Sequence, residues 1–530
     1  MKKLLIALAA CASLVASAQT RDFTASQKLR YAEGIIYNFY VEPVDEDSLV
    51  EEGIKAMLST LDPHSQFSSP EETRELNQPL EGKFSGIGIM FNIVQDTVYV
   101  IQTTVGGPSE KVGIRPGDRI ISANDTIIAG KKLKNTDILK ILRGPKGSQV
   151  SLKVKRGGVP DYITFLLKRD DIPIYSVDDA YMANDSVGYI RISRFAEGTA
   201  EEVAQAAAKL RKKGMKHVIL DLEDNTGGYL GAAVQLASQF LPKGAPVVST
   251  KGLRVEPMTF SVETEDGDLA GRVVLMVNQY SASASEILAG AMQDNDRGLV
   301  VGRRTYGKGL VQRPFPFPDG SMIRLTTARY YTPSGRCIQK PYEKGHGDEY
   351  RLDMLNRYNS GELWSADSIH FEDSLKVYTL KNHRTVYGGG GIMPDVFVPV
   401  DTTYFTPYYR DLVAKGIVNT FILSEVDKRR KSLLTRYPTE DDFQERFEVD
   451  KAMEERLIEA ASEDGLKFNE EEWTRSGVYV RAILKGLMAR DLYDKGSYVR
   501  STNNLNPVFV SALELIIDPE RYEALIKRQD

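Results

Sequence analysis

A cluster of serines lies between an apolar run and a helical pattern near the middle of the 530-residue chain. Ser281, Ser283 and Ser285 alternate with alanines, after RVVLMV at residues 272–277 and before EILAGAMQD. A hydroxyl at such a junction is held by a buried strand, and the free N–H groups of the first helical turn point at any oxyanion formed beside it. The arrangement suits nucleophilic attack on a carbonyl group, although alternating serines alone more often serve as helix caps.

The base that would activate such a serine must lie close to it in the fold. A second apolar run, Leu299 to Val301, leads to TYGKGLVQ, which places Lys308 and Gln312 after another strand and at the same edge of the sheet. No histidine occurs between residues 218 and 345, so a Ser/His pair would need a base from a distant segment. A lysine base is the economical alternative.

SASASEI followed by TYGKGLVQ resembles the motifs of the C-terminal processing peptidases, tail-specific serine proteases with a Ser/Lys dyad. In this chain Lys308 follows Ser283 by 25 residues and Gln312 follows Lys308 by four, which is the spacing in that family. The resemblance implies that Ser283 is the nucleophile, that Lys308 is the base and that Gln312 orients Lys308.

A nucleotide site is the competing interpretation of the lysine motif, because residues 302–308 fit the first part of a phosphate loop, G-x-x-x-x-G-K. Gly309 stands where that loop needs a serine or threonine for magnesium, and the following LVQRPFPF is strand-like and broken by prolines. We therefore favour a protease. We expect no cofactor and no metal site, since HExxH and paired-cysteine motifs are missing and the five histidines are scattered.

A glycine pair offers the second half of an oxyanion site. Gly227 and Gly228 follow the apolar run HVILDL and precede a helical pattern, and a glycine there presents its N–H without a side chain in the way. By resemblance to the family, the N–H groups of Gly228 and Ala284 form the oxyanion hole. The family's Asp-Leu-Arg is Asp-Leu-Glu here, so Glu223 puts in doubt any ion pair inherited at that point.

A β-rich segment upstream resembles a PDZ domain, with the pattern G-x-x-P-G-D-x-I at residues 113–120. In such domains a peptide C-terminus adds a strand to an exposed sheet edge, and amides of a Gly-rich loop bind its carboxylate. Arg143 corresponds to a family arginine that couples bound peptide to assembly of the active site. A ligand-free turn and a solvated arginine are the alternatives. The predicted peptide-binding loop is Ser85, Gly86, Ile87, Gly88 and Ile89.

The predicted fold is a multidomain α/β protein with a layered βα peptidase core like that of ClpP and the crotonases. We predict a signal peptide at residues 1–18, an N-terminal helical segment at 19–80, an inserted PDZ-like domain at 81–169, the peptidase core at 170–400 and a C-terminal helical region at 401–530. The apolar stripes of the C-terminal helices must pack either on the core or on another subunit, and the sequence leaves this open.

Two further segments bear on the core. Residues 341–386 stand where the family has a shorter connection, and we interpret them as an insertion or lid of unknown role. Near the N-terminus, LDPHS matches a family signature, and its His64, in a proline-linked turn, is more typical of a structural residue than of a catalytic base.

The segment before Gln19 predicts export, because two lysines, an apolar stretch and Ala16-Ser17-Ala18 form a secretory signal cleaved after Ala18. Lipidation of Cys11, in a sequence that resembles a lipoprotein box, is the less favoured alternative. Cleavage after Ala18 leaves Cys337 as the only cysteine, which excludes an internal disulfide and makes a structural role for this residue the expected one.

The sequence therefore predicts an exported serine endopeptidase that captures unfolded or tail-exposed proteins by their C-termini and cleaves them through an acyl-enzyme. A catalytically silent PDZ-type adaptor of the cell envelope is the alternative. The net charge of −5 and the lack of a long basic patch argue against nucleic acid binding. An envelope adaptor and a second copy of the chain are further partners that the sequence leaves open.

Overall fold

The computed structural model describes residues 23–264, 269, 271–494 and 496–527, so the predicted signal peptide and Cys11 lie outside the described residues. The described helices are α1 Ala25–Phe39, α2 Glu46–Ser59, α3 Pro70–Glu81, α4 Pro108–Lys111, α5 Asn135–Leu142, α6 Thr199–Lys212, α7 Leu230–Ala237, α8 Ala284–Asp294, α9 Gly347–Asn359, α10 Pro407–Ala414, α11 Ile417–Arg436, α12 Glu440–Arg446, α13 Lys451–Glu463, α14 Glu470–Leu492, α15 Ser497–Thr502, α16 Pro507–Ile517 and α17 Pro519–Ile526.

The strands form the sheets described below. In chain order they are β1 Gln66–Ser68, β2 Lys83–Gly86, β3 Ile89–Val94, β4 Thr97–Thr103, β5 Arg119–Ala123, β6 Thr126–Ile127, β7 Gln149–Lys155, β8 Ile163–Lys168, β9 Asp170–Pro173, β10 Val177–Met182, β11 Val187–Ile192, β12 His217–Asp221, β13 Pro246–Lys251, β14 Met258–Ser261, β15 Val273–Val277, β16 Leu299–Gly302, β17 Leu310–Pro316, β18 Met322–Tyr331, β19 Lys376–Tyr378, β20 Thr385–Tyr387 and β21 Val396–Phe397.

The central sheet has the strand order β10-β11-β12-β15-β16-β21, and all pairs except β10 with β11 are parallel. Alternate residues of its strands point to two different hydrophobic cores. Leu275 packs in a core with α6, α7 and α8, whereas Val274 and Met276 pack in a core with α16 and α17. Burial on both faces explains why β15 is a continuous apolar run and not an alternating pattern.

A second, antiparallel sheet lies beside the central one, with the order β1-β18-β13-β14 and β17 paired to β18. The strand β1 directly follows the LDPHS turn, and β17 directly follows the lysine motif. Because both pair with β18, the N-terminal segment and the lysine motif meet across a single strand.

The PDZ-like segment is a sheet of order β3-β4-β5-β7-β8, with β6 paired to β5 and with α4 and α5 beside it. Its two ends meet in the antiparallel pair β2 and β9, which ties the segment to the rest of the chain. Among the described strands, β3 pairs only with β4 and is therefore an edge strand of this sheet.

The C-terminal helices pack on more than one partner. Helices α10 to α14 have a hydrophobic core of their own, and α16 and α17 cover the central sheet. In addition, α11 contacts the PDZ-like sheet, where Leu423 packs with Tyr99 and Ile101 of β4. The carboxylate of Asp427 on α11 accepts hydrogen bonds from the Tyr99 hydroxyl and the Arg119 guanidinium, each at 3.1 Å.

The insertion contains α9, two 3₁₀ turns and the hairpin of β19 with β20. At the N-terminus, α1 buries none of its residues and α2 buries only Leu58. No helix in the part of the chain that the structure describes is long and apolar enough to cross a membrane. The predicted fold class is confirmed, while the individual boundaries drawn along the sequence stay predictions.

Candidate active site

Ser283 ends the connection between β15 and α8 and is the N-cap residue of α8. Its backbone has φ +57° and ψ −113°, a conformation that residues other than glycine rarely adopt. The backbone of Gly227 packs closely against this turn. A Cβ added to Gly227 would lie 2.7 Å from the carbonyl oxygen of Ala282 and 2.8 Å from the nitrogen of Ala284. The fold therefore holds Ser283 in a strained turn at the carboxyl edge of the central sheet.

The serines on either side of Ser283 are fully buried and have structural partners. The Ser281 hydroxyl donates to the carbonyl oxygen of Leu222 at 2.7 Å and accepts from the backbone N–H of Asn278 at 2.9 Å. The Ser285 hydroxyl donates to the carbonyl oxygen of Asn225 at 2.9 Å. Ser283 is only half-buried, so it is the serine of the three with access to the surface.

A buried carboxylate, Glu286, holds the serine turn and the lysine loop together. One of its oxygens, Oε2, accepts the backbone N–H of Ser283 at 2.8 Å and that of Lys308 at 2.9 Å. The other, Oε1, accepts the N–H of Gly307 at 2.7 Å and the hydroxyl of Thr305 at 2.5 Å. The backbones of the two candidate catalytic residues are thus adjacent, because both N–H groups donate to the same oxygen atom, Oε2 of Glu286.

Glu286 is not among the residues predicted from the sequence, although its spacing from Ser283 follows a known pattern. Ser283 and Glu286 have the S-x-x-E spacing of a capping box, in which the glutamate accepts the N–H of the cap residue. Here the same carboxylate also reaches a loop 19 to 22 residues further along the chain. Burial raises the pKa of Glu286, and its hydrogen bonds oppose that rise.

On the opposite side, the hydroxyl of buried Tyr330 links the same two backbones. It lies 3.2 Å from the carbonyl oxygen of Ser283 and also contacts the carbonyl oxygen of Lys308. Tyr330 reaches this point from β18. Ser283 and Lys308 are therefore joined through their N–H groups by Glu286 and through their carbonyl groups by Tyr330.

The surroundings of Lys308 shift its amine towards the neutral form. Burial lowers its pKa below the ordinary lysine value, and the positive charge of Arg324 on β18 lowers it further. The negative charges of Glu286 and Asp62 act in the opposite direction but are smaller influences. The net shift is towards the neutral amine, which is the form that can accept a proton.

Gln312 lies on β17, where the pairing with β18 shifts register between Val311 and Gln312. Its Nε2 donates to the hydroxyl of Thr326 at 3.2 Å, and that hydroxyl donates to the carboxylate of Asp62 at 2.9 Å. Within the described part of the chain, no hydrogen bond joins the side chains of Gln312 and Lys308. The orienting role implied by resemblance stays a prediction.

The predicted oxyanion donors lie on both sides of the serine turn. The N–H of Gly227 is used by the side-chain oxygen of Asn225 at 2.8 Å. Among the described residues, no acceptor takes the N–H of Gly228 or of Ala284. Gly228 has φ +153°, and an added Cβ would lie 2.0 Å from the carbonyl oxygen of Phe195, so only glycine fits there.

His64 lies near Lys308 but has another partner. Its Nε2 is 3.0 Å from the hydroxyl of Tyr350 in the insertion, and its backbone N–H donates to Asp62 at 2.9 Å. Burial is the largest cause that lowers the pKa of His64, to about 4. The imidazole is therefore neutral near pH 7 and in contact with the insertion.

The charge reversal at Glu223 is balanced locally. Its carboxylate lies 3.7 Å from the guanidinium of Arg303, which precedes the lysine motif, and accepts a hydrogen bond from Asn506 at 2.7 Å. Burial, followed by the charge of Asp221, raises the pKa of Glu223 to about 7. Glu223 therefore forms its own contact with Arg303, which differs from any ion pair that an arginine at position 223 would make.

The predicted peptide loop of the PDZ-like segment is divided between two elements. Ser85 and Gly86 belong to β2, where they pair with β9, and the Ser85 hydroxyl donates to Asp171 at 3.0 Å. Ile87 is buried, Gly88 has φ +71°, and Ile89 begins the edge strand β3. The turn that leads into the open edge is thus formed by Ile87 and Gly88.

Arg143 lies between the PDZ-like segment and the N-terminal segment. Its guanidinium lies 4.5 Å from the ring centre of Phe84 in β2, and Nη1 is 3.5 Å from the side-chain oxygen of Gln78 in α3. The coupling role implied by resemblance stays a prediction.

Comparison with known proteins identifies three segments. Residues 186–345 match peptidase family S41, residues 85–167 match the PDZ domain, and residues 408–494 match a family of unknown function (DUF8443). The chain is 37% identical over 365 residues to the carboxy-terminal processing protease CtpB of Bacillus subtilis (strain 168), covering 68% of this chain and 74% of that protein.

Two further relatives have similar names. Carboxy-terminal processing protease CtpA of the same organism is 33% identical over 355 residues, covering 65% of this chain and 75% of that protein. Among solved structures, a photosystem II D1 C-terminal processing protease is 31% identical, with a TM-score of 0.35, covering 60% of this chain and 84% of that one.

The serine partners predict different stability effects for the three hydroxyls. Ser281→Ala and Ser285→Ala each leave a buried polar group without its partner, so each should destabilise the fold by roughly 1–3 kcal/mol. Ser283→Ala should change stability by no more than about 0.5 kcal/mol, as for substitutions that break no buried contact. Thermal unfolding midpoints of the three variants test this, and a Ser283→Ala midpoint as low as the other two would contradict the arrangement.

Proposed function

Because the chain belongs to the carboxy-terminal processing proteases of peptidase family S41, which are serine proteases, we propose that it is an exported endopeptidase with a Ser/Lys dyad. The observation that carries the proposal is the shared carboxylate oxygen of Glu286, which holds the backbones of Ser283 and Lys308 side by side. The lowered pKa of Lys308 supports its role as the base.

In the proposed mechanism, the Ser283 hydroxyl attacks the scissile carbonyl carbon while neutral Lys308 takes the hydroxyl proton. The N–H groups of Gly228 and Ala284 stabilise the tetrahedral oxyanion. Lys308 then returns the proton to the leaving amine, the C–N bond breaks, and an acyl-enzyme remains on Ser283. Water, activated by Lys308, releases the new C-terminus. Gln312 would help to orient the lysine amine through its position on β17.

A lysine base is favoured over His64 by the contacts of both residues. The Nε2 of His64 is engaged with the Tyr350 hydroxyl. Its pKa of about 4 makes it a weak proton acceptor near neutral pH. Lys308, in contrast, shares its backbone contacts with Ser283 itself.

The pH dependence of cleavage is predicted from the lowered pKa of Lys308. The active form is the neutral amine, so activity should rise with pH through a single ionisation below the free-lysine value of about 10.4. Lys308→Arg should lose at least about 10³-fold in kcat/KM although it keeps the positive charge, because arginine does not deprotonate in this range. Cleavage of an unfolded protein, measured across pH, tests both expectations.

Ser283→Ala is the matched control, since it should also be inactive while remaining folded. A fluorophosphonate probe should label the wild-type enzyme at Ser283 and leave Ser283→Ala unlabelled. Appreciable turnover by Lys308→Arg, or loss of activity in His64→Ala with Lys308→Ala still active, would show that the base is a different residue.

We further propose that the PDZ-like segment binds the C-terminal tail of the substrate. The open edge of β3 supports this, because a peptide can add to it as a further strand. The turn at Ile87 and Gly88, at the start of that strand, is the candidate site for the terminal carboxylate.

Tail recognition predicts a dependence on the free carboxylate of the substrate. Substrates with free, apolar C-termini should be cleaved roughly tenfold faster at low concentration than the same substrates with amidated tails, since one charge-assisted contact is lost. The effect should appear in KM, measured with matched peptides. Equal KM values for free and amidated tails would remove this role.

Export is proposed from the predicted signal peptide, which lies outside the described residues of the structure. Expressed in a bacterial host with its own signal, the protein should be recovered from the envelope fraction with its N-terminus at Gln19. Mass spectrometry of the mature N-terminus tests this, and a lipidated Cys11 would show a membrane-anchored lipoprotein instead.

A further inference from the structure

The insertion contacts the loop that carries Lys308 through a buried arginine. Arg357, on α9, is 3% exposed and donates from Nη1 to the carbonyl oxygen of Thr305 at 3.1 Å and from Nη2 to that of Arg304 at 2.6 Å. Its Nε donates to Glu362 at 2.7 Å. The same glutamate accepts two hydrogen bonds from Arg304, each at 2.7 Å.

These contacts continue directly into the catalytic site. The hydroxyl of Thr305 donates to Oε1 of Glu286, the carboxylate that also accepts the N–H groups of Ser283 and Lys308. Arg357 therefore binds the backbone of Thr305. The Thr305 side chain in turn contacts Glu286, which holds the backbones of Ser283 and Lys308.

A second set of contacts from α9 closes over the same region. Tyr350 places its hydroxyl 3.0 Å from His64 and 3.3 Å from the side-chain nitrogen of Gln339. The Gln339 side-chain oxygen accepts the backbone N–H of Gly309, the residue after Lys308, at 2.8 Å. The insertion thus supports the lysine loop at both of its ends.

We propose that the insertion, residues 341–386, is a structural part of the active site and that Arg357 is a positioning residue for the loop of Lys308. The inference rests on the proposed function. It assigns a role in that function to the insertion, which lies outside the serine and lysine motifs. Arg357 touches no reacting atom, and it acts by fixing the carbonyl groups of Arg304 and Thr305.

Loss of the Arg357 contacts should loosen the loop of Lys308 and should also change the pKa of Lys308. The charged groups that face Lys308 are Glu286 from α8, Arg324 from β18 and Asp62 from the turn before β1. His64, from the same turn, is neutral near pH 7. Since burial is the largest cause of the low pKa of Lys308, a looser loop that admits water should raise that pKa towards its ordinary value.

The test is the substitution Arg357→Lys, which keeps the positive charge. A lysine ammonium lacks the planar set of donors with which the guanidinium binds two carbonyl groups and Glu362 at once. Arg351→Lys, on the same helix with a side chain that is 77% exposed, is the matched control. We expect a fall in kcat of about tenfold or more for Arg357→Lys, as for a misplaced catalytic group, with KM within about twofold of the wild type. Its pH–rate midpoint should move upwards, and Arg351→Lys should match the wild type.

An Arg357→Lys enzyme with an unchanged kcat and an unchanged pH midpoint would overturn the inference. If Arg357→Lys unfolds at a lower temperature than the wild type, Glu362→Gln is measured in the same way. This variant keeps Arg357 but weakens the hydrogen bond that holds it. An unchanged pH profile of Glu362→Gln would also overturn the inference. A wild-type enzyme that neither cleaves unfolded protein nor reacts with a fluorophosphonate would instead disprove the proposed function.

Discussion

The candidate active site depends on one buried carboxyl group, Glu286, which has four hydrogen-bond donors and, among the described residues, no ion-pair partner. The four hydrogen bonds to Glu286 come from three backbone N–H groups and the Thr305 hydroxyl. A charge buried without such donors would cost several kcal/mol or be neutralised, so an ionised Glu286 requires these donors. That requirement makes the relative position of Ser283 and Lys308 a condition of a stable fold, and Tyr330 reinforces it from the carbonyl side.

The central sheet supplies the rigidity that this arrangement requires. The strands β15 and β16 are buried on both faces and pair in parallel. The serine turn and the lysine loop, which follow them, therefore lie at the same edge of the sheet. The helices α16 and α17 supply the cover on one face, although they come from the C-terminal end of the chain, far beyond the serine turn. The strained conformation of Ser283 is stable because its neighbours Ser281 and Ser285 are tied to the loop after β12.

The parts predicted well from the sequence are those with a local pattern. The apolar runs at β15 and β16 predicted that the serine turn and the lysine motif lie at one edge of the sheet. The motifs and their 25-residue spacing carried the family resemblance, which implied the layered core. The chemical roles of Ser283, Lys308 and Gln312 are still predictions. Contacts between distant segments had no such pattern, so Tyr330, Arg357 and the packing of α11 on the PDZ-like sheet were not foreseen.

Two particular residues show why local patterns were insufficient. Ser85 fits a Gly-rich loop by its neighbours, but pairing with β9, at the opposite end of the PDZ-like segment, places it in a strand. Glu223 breaks the family pattern in isolation, but the fold brings Arg303 to within 3.7 Å of it. In both cases the deciding partner lies far along the chain, where neither spacing nor periodicity indicates contact.

The segment that matches peptidase family S41, residues 186–345, contains the candidate chemical groups and the residues that join them, namely Ser283, Lys308, Glu286 and Tyr330. It lacks the turn before β1, where Asp62 accepts the Thr326 hydroxyl beside Gln312, and it lacks α9, where Arg357 holds the lysine loop. These contacts come from both sides of the matched segment along the chain, so the surroundings of the lysine loop include the N-terminal segment and the insertion as well as the core. Burial is the largest cause of the lowered pKa of Lys308, so this pKa depends on the assembled chain and not on the motif alone.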